Sequence, residues 1–445
     1  MTASATRTRP AGNATRPAAP GPGGPPAPHG PARSSRGPAS GRANGRVGRL
    51  GSFQLQQLVL LEIAAALLLA AWVVEPLLLA PAVVIAGVLV LLAVVRRHRR
   101  SLPELLGTVL SQRARSRRAG SLELPAGTEP GIAPVVECDP ALRTYSFSDR
   151  DRRPVGMIGD GTFVTAVLQV ESDVSALRPD RSAQPLPLAL VRDVLEVDGI
   201  RLESAQIVQH TQPAPAPHLP QQSVAARNYA PLQAQTGSPA VRITWIALKL
   251  DPELCPEAVQ ARGGGITGAQ KCVVRAADQL SSRLTGAGFR ATVLTEQELT
   301  SAIATSVCAS APAMTQAGLS GRPVRRTEES ARTWRCDDRW HTTYWVARWP
   351  QFGGGAGGAA MPQLVALLTS IPALATTFSL TLGHGERQGV SITGHIRITG
   401  RSDEELLGAR HELERTARGV RTSLVRLDRE QLPGVLATLP LGGTR

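Results

Sequence analysis

Two long apolar runs, separated by a Glu-Pro pair, dominate the N-terminal quarter of the chain. The runs are residues 58–74 and 77–95. As helices they would be roughly 25 and 28 Å long, close to the roughly 30 Å hydrocarbon core of a bilayer. Pro76 has no backbone donor and disfavours helix at Glu75, so the chain should turn there. We therefore predict a transmembrane hairpin over 53–95, and the alternatives are a signal peptide or a buried core hairpin.

Arginine flanks both ends of this hairpin. Residues 1–52 contain arginine and no acidic residue, and residues 96–118 are rich in arginine with Glu104 alone opposing them. Positive flanks remain on the cytoplasmic side, so both termini should be cytoplasmic and the protein should be a two-span protein of the plasma membrane. The flank nearest the second span contributes Arg96, Arg97, Arg99 and Arg100. A role as topology determinants without lipid selectivity is favoured for these arginines. Anionic lipid headgroups are their predicted partners beyond that role.

The charge is distributed unevenly. The chain has a net charge of +14, yet residues 119–445 are close to neutral, which argues against a nucleic-acid partner. Five cysteines without C-x-x-C spacing predict neither a disulfide framework nor a zinc site. Residues 1–52 are rich in Pro, Gly, Ala, Ser and Arg, a composition typical of a disordered tail.

Residues 119–445 alternate between strand-like and helix-like segments. The clearest strands are 241–250 and 390–400, and the clearest helices are 267–288 and 402–419, with Ser402 and Glu405 in capping-box spacing. We predict a cytosolic α/β domain consisting of a mixed sheet with flanking helices. Further strands are predicted at 162–170, 200–210, 289–295, 341–349, 377–382 and 422–427, further helices at 186–196, 296–307 and 361–374, and subdomain joints near 211–240 and 351–360.

Two segments contain residues that could form a binding or catalytic site. "RGGGITGAQK" (262–271) lacks the G-K-[ST] ending of a phosphate-binding loop, so a turn that enters a helix is favoured over anion or partner binding. "WRCDDRWHTTYWVARWP" (334–350) holds the acid pair Asp337 and Asp338 beside His341, but no further metal ligands are indicated. Core packing is favoured over a partner surface, and catalysis is the weakest alternative. The candidate partner contacts in this stretch are Trp334, Trp340, Tyr344, Trp345 and Trp349.

Glu62 is an acidic residue within the first apolar run. A carboxylate inside a membrane is costly and usually has a partner, so Glu62 is another candidate contact with a neighbouring subunit. A shallow interfacial position beside Gln54, Gln56 and Gln57 is slightly favoured over that contact. No nucleotide-binding loop, hydrolase nucleophile elbow or zinc-binding helix motif is found, and we predict no cofactor and no enzyme.

Several segments of the sequence resemble one known family. "RPVGMIGDGTFVTAVLQVES", "PAVRITWIALKLDPELCPEAVQARGGGITGAQK", "HTTYWVARWP" and "LVRLDREQLPGVLATLPLGG", together with the basic tail and the hairpin, are similar to EccE, a membrane component of the actinobacterial type VII (ESX) secretion system. The likeness extends from about residue 50 to the C-terminus, whereas the Pro-rich tail departs from shorter members.

The resemblance implies a structural rather than a catalytic role. Its members are expected to assemble with the membrane components EccB, EccC and EccD around an export channel, with an EccC-like ATPase supplying energy. We therefore expect a non-enzymatic subunit that packs its two spans against other components and braces the assembly from the cytosol. The alternatives are a membrane-anchored transferase for lipid-linked or nucleotide-sugar substrates, and a lipid- or nucleic-acid-binding regulator.

Overall fold

The computed structural model describes residues 49–443 with internal gaps. The gaps are 51–52, 75–78, 95, 98–99, 121–123, 126, 150–151, 173–184, 214–221, 225–226, 229–230, 232–240, 321–324, 351–360 and 386–388. Nearly all of the predicted tail, the whole of 351–360 and most of 211–240 lie outside the described residues. The disordered tail and the two joints stay predictions.

The two apolar runs form a pair of packed helices. Helix α1 spans Leu55–Val74 and α2 spans Leu79–Val94. Small side chains lie between the two helices, which lets their backbones approach closely. Bulky side chains such as Leu69, Trp72 and Val84 are exposed. The buried alanines of the hairpin are Ala64, Ala71, Ala82 and Ala86.

The two predicted membrane spans are not confirmed. Among the helices of the described ranges, none combines the length and the apolar content that crossing a membrane requires. Helix α2 has 16 residues, and residues 77, 78 and 95 of the predicted run lie outside the described residues. Membrane association therefore enters below as a proposal.

One large antiparallel sheet organises the rest of the described chain. Its twelve strands are β1 Arg143–Ser148, β2 Pro154–Gly159, β3 Val164–Ser172, β4 Ser204–Gln212, β5 Val241–Leu250, β6 Phe289–Val293, β7 Thr327–Glu329, β8 Trp334–Cys336, β9 Arg339–Arg348, β10 Ala375–His384, β11 Val390–Gly400 and β12 Ser423–Arg426. The order is β7-β8-β9-β11-β10-β4-β5-β3-β2-β1, with β6 also on β3 and β12 also on β9. Short two-residue pairs form at 49–54, 96–101 and 196–201.

Helices cover the two faces of this sheet. After α3 at Leu102–Gly120 they are α4 Ala133–Cys138, α5 Leu188–Asp193, α6 Pro256–Ala261, α7 Gly265–Gly286, α8 Glu296–Ser306, α9 Ala311–Ser320, α10 Met361–Thr369, α11 Asp403–Gly419 and α12 Gln431–Leu436. A short 3₁₀ turn spans Pro252–Leu254.

Two apolar cores form, one on each face of the sheet. Strand β5 shows the division, since Ile246 and Leu248 belong to the core under α7, α10 and α11, whereas Trp245 and Ala247 belong to the core under α4, α8 and α12. A strand buried on both faces carries apolar residues at consecutive positions, as Trp245 to Leu248 do. The sheet is thus the central layer of the domain.

Most predicted elements of the domain are confirmed. The strands at 241–250 and 390–400 have the predicted bounds, and the long helices begin and end within two residues of the predictions. The Ser402 hydroxyl accepts from the Glu405 amide at 3.1 Å, while the Glu405 carboxylate bonds the Arg401 amide instead of that of Ser402. The predicted mixed sheet is wrong, because every strand pair of the described chain is antiparallel.

Candidate functional site

Helix α3 contacts the folded domain through Arg115. The Nε and Nη2 atoms of Arg115 each lie 3.0 Å from the carboxylate of Glu329 on β7. Arg115 Nη2 also donates to the carbonyl of Arg429 at 2.7 Å. The Glu329 side chain is 5% exposed and accepts from the Leu432 amide as well. This contact joins the basic segment after the hairpin to the sheet and to the start of α12.

The aromatic segment 334–350 lies mostly in the core. Trp334 and Tyr344 are each 1% exposed. The ring of Trp334 packs on His341 with centroids 5.0 Å apart. The Tyr344 hydroxyl donates to Glu414 on α11 at 2.8 Å, and burial raises the pKa of that phenol. These side chains connect β8 and β9 to the cores.

Trp345 is the candidate of this set whose side chain reaches the surface. It is 37% exposed. Strand β9 places it opposite His395 of β11 and Val425 of β12. Trp340 and Trp349 are half-buried against the core, and the Trp349 ring contacts Phe378 edge-on. A partner contact at this segment stays a prediction, and Trp345 is the residue placed to make it.

The two adjacent acids point to different surroundings. Asp337 forms a bidentate ion pair with Arg326, with N–O distances of 2.8 and 2.7 Å, and accepts from the Ser310 amide at 3.0 Å. Asp338 pairs with Arg339 at 3.2 Å and is 61% exposed. Asp337 therefore anchors the loop before β7 to the start of α9. Among the described residues, no group of three or more His, Cys, Asp or Glu side chains is placed to hold a metal ion.

A buried carboxylate supports the same loop. Glu137 of α4 is 8% exposed and accepts from the backbone amides of Arg326 and Thr327 and from the Thr327 hydroxyl at 2.7 to 3.1 Å. Burial raises the pKa of Glu137, and these hydrogen bonds oppose that shift. Glu137 thus orders the strand that carries Glu329.

Arg397 is fully buried on the face of the sheet whose core lies under α4, α8 and α12. Its guanidinium donates to the Ser306 carbonyl at the end of α8 and lies 3.3 Å from the Thr377 hydroxyl. A cation at a helix C-terminus complements the carbonyl dipoles there. Burial lowers the pKa of Arg397 to about 10. The side chain therefore ties α8 to the centre of the sheet.

Two buried histidines lie near Arg397. The Nδ1 atoms of His210 and His341 are each 3.0 Å from a threonine hydroxyl, that of Thr377 and Thr399 respectively. Burial, reinforced by the charge of Arg397, lowers the pKa of His210 to about 3 and that of His341 well below 6.5. Both histidines are therefore neutral in the folded domain at neutral pH.

Polar side chains of the same face hold the backbone after α12. Thr165 donates to the Leu441 carbonyl at 3.0 Å, and Ser204 donates to the Gly442 carbonyl at 2.6 Å. The amide of Gly442 donates to Gln206 at 2.8 Å. This segment has no strand partner, so buried side chains satisfy its backbone groups instead. Their role is structural.

The glycine-rich stretch before α7 is a turn that enters the helix, as favoured by the sequence. Gly263, Gly264 and Gly265 all have positive φ angles. The Lys271 ammonium donates back to the Arg262 carbonyl at 3.0 Å. At Gly268, an added Cβ would lie 2.3 Å from the Val259 carbonyl, so glycine permits α6 and α7 to meet.

The hairpin and its flank carry the remaining predicted residues. Glu62 is exposed on α1. Its contact with a neighbouring subunit stays a prediction. The side chains of Arg96, Arg97 and Arg100 lie outside the described residues, and so does all of Arg99. Their predicted role at the membrane therefore stays a prediction.

Comparison with known families agrees with the resemblance drawn from the sequence. Residues 238–346 match the EccE family model, described as "Putative type VII ESX secretion system translocon, EccE". The matched segment begins just before β5 and ends within β9. It includes the glycine-rich turn, α7, α8 and most of the aromatic segment. The predicted EccE resemblance is confirmed over these residues.

Other comparisons add little. No curated protein matches the chain. Two solved structures of alkyldihydroxyacetonephosphate synthase, in crystal forms P212121 and P1, resemble it at 7% and 9% identity with TM-scores of 0.25 and 0.23. Each alignment covers 61% of this chain and 42% of the other, so the chain spans less than half the length of those proteins. TM-scores this low carry no argument about fold or function.

Proposed function

We propose that the protein is a non-enzymatic structural subunit of a type VII secretion membrane complex. Its α1–α2 hairpin inserts into the bilayer beside the spans of other components, and its sheet domain braces the assembly from the cytosol. The observation that carries this proposal is the match of residues 238–346 to the EccE family. The partners of the complex are then membrane components of the EccB, EccC and EccD types.

The surface of the hairpin supports membrane association. Trp72, Val73 and Val74 at the end of α1 are 70 to 72% exposed. Exposed apolar surface of this extent is unfavourable in water and favourable against lipid or against neighbouring apolar helices. The packed alanines hold α1 and α2 together, and the bulky side chains of both helices face outward.

The domain has the construction expected of a brace. The buried ionic and polar groups described above bond to the backbone of neighbouring elements: Glu137 holds the start of β7, Asp337 the start of α9, and Arg397 the end of α8. Buried hydrogen bonds from charged side chains to the backbone fix the relative positions of the elements they join. The acid pair that would have supported a transferase is thereby occupied, because Asp337 is committed to Arg326.

The test is purification of the tagged full chain from its native membranes in mild detergent. We expect the other membrane components of the secretion apparatus, including a multi-domain ATPase, to co-purify, with a tag-only bait as the control. Alkaline carbonate washing should leave the protein in the membrane fraction. Isolation of a monodisperse protein without partners, or its release by carbonate, would contradict the proposal.

A further inference from the structure

Helix α3 has two different faces. Its inner face is half-buried and consists of Thr108, Val109, Gln112, Arg115 and Ala119. Arg115 on this face is bound to Glu329 and to the carbonyl of Arg429. The outer face is exposed and consists of Leu110, Arg113, Ala114 and Arg117. The helix therefore contacts the domain with one side and presents an arginine-rich stripe on the other.

The outer stripe has charge without a matching acid. Arg113 and Arg117 are four residues apart, so their side chains are neighbours on the helix surface and repel each other. Unlike Arg115, neither has an acidic partner within the described part of the chain. Leu110, one turn before Arg113, is 62% exposed. An anionic surface with an apolar layer beneath it would satisfy all three side chains.

The position of α3 fits such a surface. Helix α2 ends at Val94, α3 begins at Leu102, and the two helices are in contact. A helix with basic and apolar residues on one face, next to an apolar hairpin, has the features of a segment that lies in a membrane interface. Anionic headgroups attract basic residues there within about a Debye length.

We propose that the outer face of α3, formed by Leu110, Arg113 and Arg117, binds the anionic phospholipid surface of the membrane. Arg115 on the inner face at the same time holds the sheet domain through Glu329. Helix α3 then fixes the orientation of the domain against the bilayer. This inference rests on the membrane association of the hairpin in the proposed function.

The experiment compares the full chain in two kinds of nanodisc. One contains phosphatidylcholine alone and the other contains phosphatidylcholine mixed with phosphatidylglycerol. Amide hydrogen exchange of residues 107–120 is the readout, at low and at high salt. We expect slower exchange with phosphatidylglycerol at low salt, and loss of that slowing at high salt because surface charges are screened.

Matched variants distinguish the effect of the outer face of α3 from the effect of total positive charge. R113Q/R117Q should lose the slowing, because each basic residue near an anionic surface contributes about fivefold to affinity, or about thirtyfold for two. R227Q/R290Q removes the same charge from exposed positions elsewhere and should keep it. Equal exchange in both nanodiscs, or slowing that persists in R113Q/R117Q, overturns the inference.

The two proposals fail separately. Suppose that R113Q/R117Q retains its partners in the pull-down but that exchange in the wild type does not depend on phosphatidylglycerol. Then the proposed lipid binding by the outer face of α3 is wrong, and the secretion-complex proposal stands. If phosphatidylglycerol slows exchange as expected but no partner co-purifies, the lipid face is supported and the complex is not.

Discussion

Arg115 and Glu329, 214 positions apart in sequence, form a two-pronged ion pair with both N–O distances at 3.0 Å. Glu329 is almost fully shielded from solvent, and Arg115 bonds the Arg429 carbonyl as well. Planar guanidinium–carboxylate pairs with two hydrogen bonds fix geometry as well as energy. The basic segment after the hairpin therefore has a defined orientation on the domain.

Replacing Arg115 by glutamine should release α3. The loss leaves Glu329 buried with fewer donors, and we expect a destabilisation of about 1–2 kcal/mol, between that of an exposed pair and that of a fully buried pair. Hydrogen exchange of residues 102–120 in detergent should become faster. Arg113→Gln, on the exposed side of the same helix, should leave that exchange unchanged. Restoration by the swapped pair R115E/E329R would support the contact, whereas equal exchange in R115Q and wild type would refute it.

Acid should destabilise the domain through its buried histidines. The pKa of His210 falls from 6.5 to about 3 on folding, so below pH 6.5 the unfolded chain takes up a proton that the folded domain refuses. Stability is therefore full above pH 6.5 and declines as the pH falls toward 3. At pH 5 the loss from His210 alone is about 2 kcal/mol. Urea unfolding of the full chain from pH 8 to pH 5 measures it.

Variants identify the source of this pH dependence. His210→Gln should make the decline below pH 6.5 shallower by the contribution of one histidine, while His341 maintains its own part, even though the variant lowers stability at neutral pH. His411→Gln, on the exposed side of α11, should keep the wild-type slope. A slope that is the same in the wild type and in His210→Gln would show that His210 is not responsible.

The two adjacent acids should differ sharply on mutation. Asp337→Asn leaves Arg326 buried without its counter-charge and should cost about 3–5 kcal/mol. Asparagine tolerates the positive φ of this position, so the variant isolates the charge. Asp338→Asn is exposed and should stay within about 0.5 kcal/mol of the wild type. Thermal unfolding compares them, and an Asp337→Asn protein of wild-type stability that has lost function would instead favour a transferase.

Trp345 should matter for assembly more than for folding. Trp345→Ala removes a partly exposed side chain and should weaken recovery of partner subunits by about thirtyfold in affinity if Trp345 is a central contact. Trp334→Ala empties a core position and should cost about 3–5 kcal/mol of stability. Pull-down yield and melting temperature distinguish the two variants. Undiminished recovery with Trp345→Ala would place the partner surface elsewhere.

The sequence predicted the long elements well and the short ones poorly. Strands such as 241–250 and helices such as 265–286 have enough periodic apolar positions to be recognised alone. Strands β7 and β8 have three residues each and form because Glu137 and the β9 ladder hold them. The direction of the strand pairs was also predicted incorrectly. Alternation of helices and strands suggests parallel pairs, but antiparallel strands joined by long connections give the same pattern.

The contacts that define the candidate site were beyond the sequence for a different reason. Arg115 is one of several arginines in residues 96–118, and nothing local distinguishes it from Arg113 or Arg117. Its role depends on Glu329, more than two hundred residues away. Arg397 lies within a strand recognised by alternation, yet a buried arginine that bonds the end of α8 has no signature in sequence spacing.

The pairing of β4 with β10 has a consequence for synthesis in the cell. Gln206 and Ser379 meet across this pair although they are 173 positions apart. At about 5–20 residues per second a ribosome needs roughly ten to thirty seconds to make the intervening chain. During that interval one edge of β4 has no neighbour and is open to misassociation with other nascent chains. Production of this protein should therefore depend on chaperones that shield unpaired strands until β10 has emerged.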